Sequence, residues 1–352
     1  MELWSETAKA LRPYTPGEQP RLKGLVKLNT NESPLSPSPR ALAAMREAAN
    51  ELLRLYPAPE SDSLRETLAA YHGLRAESVF VGNGSDEVLA HAFLALLKHD
   101  RPLLFPDVTY SFYPVWAQLY DIACETVPLD GNMRVRVEDY RRNRAGAIVL
   151  ANPNAPTGVA LSRAEIAKLL AQHADIPVVV DEAYVDFGGE SALPLIAENP
   201  NLLVVRTFSK SRALAGLRVG YALGHPRLIE ALSRVKNSFN SYPLNRIAVA
   251  GAVASVEDET YFQQSLKAIV AERENATARL KDLDFDILPS SANFVFARHR
   301  NTKGAELARA LRERAVLVRH FNAPRIEDFL RITIGTAEQT EKLVAALRDI
   351  LA

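Results

Sequence analysis

The stretch LLVVRTFSKSRALAGLRVG, residues 202–220, joins a short apolar run to a cluster of polar and cationic residues. The run at 202–205 is typical of a buried strand, and Lys210 follows its end beside the hydroxyl of Ser209. Arg218 comes eight residues after Lys210. This order predicts a cationic pocket at the end of a strand, where a lysine could bond to a carbonyl compound. A lysine in a solvated loop is the simpler alternative.

Upstream of this stretch, short strand-like runs alternate with amphipathic, helix-like segments. Such alternation predicts an α/β fold with a mostly parallel sheet and helices on both faces. Ligands bind such sheets at the carboxyl ends of the strands, and polar residues follow several of the runs. The runs lie at 79–81, 102–105, 147–150, 178–180 and 202–205, two amphipathic segments at 86–98 and 162–173, and the polar ends at 82–87, 152–158, 181–184 and 207–210.

Residues 82–87, GNGSDE, link a predicted strand to a predicted helix. Glycines let a ligand approach the backbone, and the unpaired N–H groups of a helix start suit a phosphate. A plain turn with Ser85 or Asp86 as the helix cap is an equally simple interpretation. The segment does not match the dinucleotide fingerprint, because no G-x-G-x-x-G follows.

The loop at 152–158, NPNAPTG, and Asp181 follow the next two runs. Two prolines make the loop rigid, although a Pro/Asn/Gly cluster is also an ordinary turn. Asp181 comes directly after the very apolar run at 176–180, where a carboxylate is costly without a partner. A protonated ring nitrogen would be such a partner, and an acidic helix cap is the alternative.

The chain divides into three predicted parts. Residues 1–38 are rich in proline and predict an extended N-terminal arm. Residues 39–243 form a large domain, with helical patterns at 39–54 and 61–72 before the alternating segments. Residues 244–352 form a smaller α+β domain. Its predicted elements are a long helical stretch at about 244–281, strands at 285–288, 294–297, 316–319 and 330–334, and a last helix at about 337–351.

The composition excludes several classes of function. Lys+Arg and Asp+Glu both number 42, so no basic excess points to nucleic acid or to an anionic membrane. Cys124 is the only cysteine, which excludes an intramolecular disulfide and a four-cysteine zinc site, and no metal site is predicted. The sequence has no apolar run of membrane length and no secretory signal, so a cytoplasmic location is expected.

Taken in order, the motifs resemble those of fold-type I aminotransferases that depend on pyridoxal 5′-phosphate, and they are most similar to the histidinol-phosphate aminotransferase family. Each motif is weak alone, but the ordered set covers nearly the whole chain. The matching segments lie at 29–34, 56–57, 84–87, 152–158, 181–187, 207–210, 214–220 and 330–335.

The resemblance implies a large domain with a mostly parallel seven-stranded sheet, a smaller C-terminal domain and an N-terminal arm. It also implies roles around the cofactor. Lys210 would carry the cofactor and move a proton, and Asp181 would pair with the ring nitrogen. Other residues would complete the site: Asn154 and Tyr184 at the 3′-oxygen, Tyr110 on the ring face, and Ser85, the Asp86 amide, Ser209, Arg218 and Tyr56 of a neighbouring subunit at the phosphate. That last role implies a homodimer.

For the substrate, the resemblance implies that Arg331 binds a carboxylate. It assigns Arg319 and Tyr14 to a substrate phosphate; a surface ion pair is the alternative for Arg319. The implied reaction transfers an amino group from L-histidinol phosphate to 2-oxoglutarate, giving imidazole-acetol phosphate and L-glutamate, a step of histidine biosynthesis. An aromatic amino-acid aminotransferase, a phospho-amino-acid decarboxylase and a non-catalytic cofactor-binding regulator are the alternatives; the arm is too short for a DNA-binding domain.

The sequence departs from the family pattern at three places. Ala155 stands where a second asparagine is usual, and Ser211-Arg212 replace a small residue and an aromatic. Residues 241–245 match a Pro-Tyr-Asn segment only approximately. None of these changes removes an expected cofactor ligand.

Overall fold

The computed structural model describes residues 3–20, 24–140 and 145–352. Within these ranges the strands form two sheets, which confirms the predicted α/β fold. The strands are β1 (Val26–Leu28), β2 (Val79–Gly82), β3 (Leu103–Pro106), β4 (Cys124–Val127), β5 (Ala147–Ala151), β6 (Val178–Asp181), β7 (Leu202–Thr207), β8 (Gly220–Gly224), β9 (Phe285–Ile287), β10 (Phe294–His299), β11 (Val316–His320) and β12 (Phe329–Thr333). The α-helices are α1 (Glu6–Ala10), α2 (Pro39–Ala48), α3 (Asp62–His72), α4 (Gly84–Leu96), α5 (Tyr113–Leu119), α6 (Arg163–Gln172), α7 (Pro226–Phe239), α8 (Arg246–Glu257), α9 (Glu259–Lys281), α10 (Gly304–Glu313) and α11 (Ala337–Leu351).

The larger sheet has seven strands in the described ranges, in the order β2-β8-β7-β6-β5-β3-β4. Strands β4, β3, β5, β6 and β7 pair in parallel, and β8 runs antiparallel to both β2 and β7. The predicted seven-stranded, mostly parallel sheet is therefore confirmed.

Helices cover both faces of this sheet, so its central strands are apolar on both sides. Val178 and Val180 pack into one core, and Val179 packs into the other. Successive side chains of a strand point to opposite faces, so a strand buried on both faces is an unbroken apolar run. The run that ends at Asp181 folds as a central strand for this reason.

The smaller sheet has the order β1-β11-β12-β10-β9. Strand β1 belongs to the segment predicted as an arm and pairs in parallel with β11. Residues 1, 2 and 21–23 of that segment lie outside the described residues. Helix α9 packs on this sheet, whereas α8 packs against α2 and α3 of the larger part. The division at residue 243 stays a prediction.

The carboxyl ends of three central strands meet at one edge of the larger sheet. In the register of β5 with β6, Ala151 lies beside Asp181, and Asp181 lies beside Val205 of β7. The segments that follow these strands therefore converge, as expected for a ligand site in a parallel sheet. None of the helices in the described ranges is long and apolar enough to span a bilayer.

Candidate active site

A cavity of about 500 Å³ lies at this converging edge. Its walls come from both sheets and from the N-terminal segment. Most of the residues predicted for the site line it: Tyr14, Ser85, Asp86, Tyr110, Asp181, Tyr184, Ser209, Lys210, Arg218, Arg319 and Arg331. Two predicted residues do not line it, Asn154 and Tyr56.

Lys210 reaches into the cavity from the loop after β7. Its Nζ donates to the backbone oxygen of Thr30 at 3.2 Å and lies 5.7 Å from the centroid of the Tyr184 ring. The Tyr184 hydroxyl accepts from Asn31 Nδ2 at 2.9 Å. The two direct contacts of the amine are with neutral groups, the carboxylate of Glu32 is close enough to interact with its charge, and an electrophile in the cavity can reach it.

Asp181 ends β6 and is buried. Its Oδ1 accepts from the backbone N–H of Ala183 at 3.1 Å, and its Oδ2 accepts from the hydroxyl of Tyr113 at 3.3 Å. Burial raises the pKa of Asp181 to about 7, although both hydrogen bonds act to lower it. A buried carboxylate with only neutral donors suits a cationic partner in the cavity.

Asn154 is held beside the cavity by the rigid loop after β5. Its Nδ2 donates to the Val108 oxygen at 3.0 Å and to Thr157 Oγ1 at 3.1 Å, while its Oδ1 accepts from Thr109 Oγ1 at 2.8 Å. The side chain is buried next to Ala155, which does line the cavity.

The start of α4 forms one end of the cavity. Gly84 has a φ of 84°, and a Cβ there would lie 2.3 Å from Arg218 Nη2, so only glycine allows this approach. Arg218 donates to Asp86 Oδ2 at 2.9 Å and to Ser209 Oγ at 3.3 Å, and Tyr110 donates to Asp86 Oδ1 at 3.0 Å. This end of the cavity suits a phosphate, because it offers the N-terminus of α4, the hydroxyls of Ser85 and Ser209, and the guanidinium of Arg218.

The opposite end of the cavity carries Arg319 of β11 and Arg331 of β12. Arg331 Nη2 donates to the Asn29 oxygen at 2.9 Å. Its Nε is a buried donor for which the described residues offer no acceptor. Burial lowers the pKa of Arg331, which is the expected direction for a desolvated cation. An anionic ligand would satisfy both the charge and the donor.

The N-terminal segment closes this end. Arg319 donates through Nη2 to the Thr15 oxygen at 3.2 Å and through Nη1 to the Pro16 oxygen at 3.4 Å. The Tyr14 ring packs on Phe112 with centroids 4.8 Å apart. The described hydrogen bonds of Arg319 go to backbone oxygens of the arm and not to a carboxylate, and its role at a substrate phosphate stays a prediction.

Tyr56 lies outside the cavity of its own chain. The residue is 80% exposed, and its ring stacks on Tyr242 with centroids 4.8 Å apart. A role for Tyr56 at this site therefore requires a second copy of the chain.

Asn31 and Tyr113 are among the residues at the site to which the sequence assigned no role. Asn31 belongs to a matching motif, but its bond to Tyr184 spans 153 residues. Tyr113 comes three residues after Tyr110, and nothing local distinguishes it from a core tyrosine. Among the described residues, no group of three or more His, Cys, Asp or Glu could hold a metal ion.

The family described as aminotransferase class I and II matches residues 23–347. The chain belongs to this family. It is 64% identical over 348 residues to histidinol-phosphate aminotransferase 1 of Bradyrhizobium diazoefficiens, covering 99% of each protein. It is 60% identical over 353 residues to the histidinol-phosphate aminotransferase of Aromatoleum aromaticum, also covering 99% of each.

Among solved structures, histidinol-phosphate aminotransferase from Sinorhizobium meliloti in complex with pyridoxal-5′-phosphate has a similar fold. The TM-score is 0.83 at 27% identity, covering 92% of this chain and 90% of that chain. The predicted membership of the aminotransferase family is confirmed. The cofactor implied by the resemblance also fits the residues present, because the cavity joins an amine, a buried carboxylate and a helix start whose N–H groups suit a phosphate.

Proposed function

We propose that this chain transfers the amino group of L-histidinol phosphate to 2-oxoglutarate with the help of pyridoxal 5′-phosphate. The observation that carries the proposal is that Arg319 and Arg331 line the same cavity as Lys210 and Asp181. An aminotransferase that handles a single α-carboxylate needs one arginine, whereas a phosphate dianion can engage two. The relatives of 64% and 60% identity carry the name of this activity.

The residues around Lys210 would bind the cofactor, which when bound supplies an electron sink next to the carbon that carries the amino group. Lys210 Nζ holds the cofactor and moves the proton. Asp181 keeps the ring nitrogen protonated, and Tyr110 covers one ring face. The remaining ligands are Asn154 and Tyr184 at the 3′-oxygen, and Ser85, the Asp86 amide, Ser209 and Arg218 at the phosphate.

The two arginines would hold the substrates in turn. Histidinol phosphate lacks a carboxylate, so its phosphate takes both guanidinium groups, with Tyr14 beside it. Glutamate brings two carboxylates and can use Arg331 for one of them. Because Thr15 and Pro16 contact Arg319 through their backbone oxygens, the arm covers the bound substrate and limits the access of water.

The working unit is proposed to be a homodimer in which Tyr56 of one subunit reaches the cofactor phosphate of the other. The high exposure of Tyr56 in the single chain supports this proposal. The cytoplasmic location stays a prediction from the sequence.

A comparison of amino donors tests the substrate. Cofactor-loaded protein is mixed separately with histidinol phosphate, histidinol, phenylalanine and glutamate, and the change in cofactor absorbance is followed in a stopped-flow instrument. We expect histidinol phosphate and glutamate to react, and histidinol and phenylalanine to react at least tenfold more slowly per unit concentration, because a charge-assisted hydrogen bond contributes about 1.5–3 kcal/mol. Preference for phenylalanine over histidinol phosphate would instead identify an aromatic amino-acid aminotransferase.

A further inference from the structure

Tyr113 contacts Asp181 on the face of the larger sheet that carries α4 and α5. It is the first residue of α5 and is fully buried. Its hydroxyl donates to Asp181 Oδ2 at 3.3 Å, while Ala183 N–H donates to Oδ1 at 3.1 Å. Each carboxylate oxygen therefore has one neutral donor inside the protein.

We propose that Tyr113 is a positioning residue that keeps the negative charge on Asp181 and so keeps the shared proton on the ring nitrogen of the cofactor. This inference rests on the proposed cofactor site. When a carboxylate faces a basic nitrogen in a buried site, the proton stays on the group with the greater affinity for it. A donor to the carboxylate stabilises its charged form and lowers that affinity.

The surroundings of Asp181 make this donor matter. Burial raises the pKa of Asp181 to about 7, and the charges of Asp86 and Glu182 act in the same direction. Glu182 is itself paired with Arg206 at 2.8 Å, and Asp86 with Arg218 at 2.9 Å. The charged form of Asp181 is therefore stabilised by its two hydrogen bonds from neutral donors, the Ala183 N–H and the Tyr113 hydroxyl.

A tyrosine fits this task better than a cationic side chain. Burial raises the pKa of Tyr113 well above its ordinary value, so the hydroxyl keeps its proton and can donate. Because it is neutral, it does not repel a protonated ring in the cavity. The distance of 3.3 Å is long for a hydroxyl bond, which limits the expected effect to a modest one.

Tyr113 also contacts Tyr110, the residue expected on the ring face of the cofactor. Tyr113 N–H donates to the Tyr110 oxygen at 3.1 Å, and the two rings meet edge to face with centroids 5.6 Å apart. Tyr113→Phe removes the hydroxyl and keeps this ring packing, so it isolates the hydrogen bond.

The test uses cofactor labelled with ¹⁵N in its ring and the full-length loaded enzyme. In Tyr113→Phe the ¹⁵N resonance should move from the protonated toward the neutral position, and kcat should fall about two- to tenfold, the loss that matches one hydrogen bond of about 0.5–1.5 kcal/mol. KM for both substrates should change little, because Tyr113 does not line the cavity. Tyr140→Phe is the matched control, since Tyr140 is buried in the core on the other sheet face.

Asp181→Asn calibrates the experiment by removing the carboxylate. If this variant loses the protonated signal while Tyr113→Phe matches wild type, the inference on Tyr113 is wrong and the proposed cofactor site stands. If Asp181→Asn itself leaves the signal unchanged, both are wrong. Should Tyr113→Phe not fold, 4-aminophenylalanine at this position serves instead: its amine is a weaker donor of similar size, so the signal must move toward the neutral position, and no movement contradicts the inference.

Discussion

Arg319 and Arg331 lie directly opposite each other on the antiparallel strands β11 and β12. Opposite residues of an antiparallel pair project from the same face, and like charges in such a pair destabilise each other. Both guanidinium groups also approach the ring of Phe321, at 5.6 and 5.5 Å from its centroid. The pair is therefore best satisfied by a ligand that carries several anionic oxygens.

Arg319→Ala should lower kcat/KM for histidinol phosphate by about ten- to a hundredfold, the loss of one charge-assisted hydrogen bond of roughly 1.5–3 kcal/mol. Phenylalanine should lose much less, because its single carboxylate can stay on Arg331. Steady-state kinetics with histidinol phosphate, histidinol and phenylalanine measure the difference. Arg234→Ala is the matched control, because Arg234 is an exposed arginine of α7 paired with Glu230.

The contacts of Arg319 with Thr15 and Pro16 give this experiment a second possible result. If Arg319 acts only by holding the arm, histidinol should lose as much activity as histidinol phosphate. An equal loss for all three substrates would therefore contradict phosphate selection by Arg319.

Asp181→Asn should keep much of the cofactor binding and lose activity by orders of magnitude, because an amide cannot hold the ring nitrogen protonated.

The stability of the cofactor-free protein gives an independent measurement of the charge on Asp181. Burial raises the pKa of Asp181 to about 7, above the unfolded value of about 4, so the folded state binds more protons in this window. Stability of the cofactor-free form should fall as pH rises from about 4 to about 7, and Asp181→Asn should remove that part of the slope. Wild-type turnover of the loaded Asp181→Asn enzyme would contradict the proposed role of Asp181 at the ring nitrogen of the cofactor.

The sequence predicted the central strands and many of the residues that line the cavity, because both are marked by residues that are neighbours in the sequence. Consecutive valines before Asp181 mark a strand buried on both faces, and Lys210 and Asp181 come where such strands end. Strand β4 was not predicted, because three of its four residues are exposed and leave no apolar run. The hydroxyl of Tyr113 meets Asp181 across 68 residues, and such long-range contacts leave no local pattern.

Glu182 and Arg206 form a buried ion pair directly behind the site. Glu182 Oε2 accepts from Arg206 Nη2 at 2.8 Å and from Ser191 Oγ at 2.8 Å. Arg206→Met would leave a buried carboxylate without its cation, so it should destabilise the protein by about 3–5 kcal/mol. Adding Glu182→Gln should recover part of this loss. Urea unfolding of the cofactor-free variants measures it, and equal stability of Arg206→Met and wild type would show that the pair contributes nothing.

The last prediction concerns the surface around Tyr56. Several large apolar side chains in this region are exposed in the single chain, and contiguous exposed apolar surface marks an interface. Tyr56 stacks on Tyr242, which fixes the two rings as one element of that surface. The exposed side chains come from two segments of the chain, Leu52, Leu53, Leu55 and Tyr56 in one and Phe239 and Tyr242 in the other.

If Tyr56 serves the site of the other subunit, a chain with Tyr56→Ala and a chain with Lys210→Ala should complement each other. In the mixed dimer, the site that keeps Lys210 receives Tyr56 from the other chain, while the second site lacks both residues. Random re-association of a two-fold dimer should then recover about a quarter of wild-type activity. Activity is measured after mixing and refolding, with heterodimers verified by native mass spectrometry, and a mixture of wild type with Lys210→Ala is the control. If Tyr56 acted within its own chain, no heterodimer would contain an intact site, and the mixture would not exceed the activity of Tyr56→Ala alone.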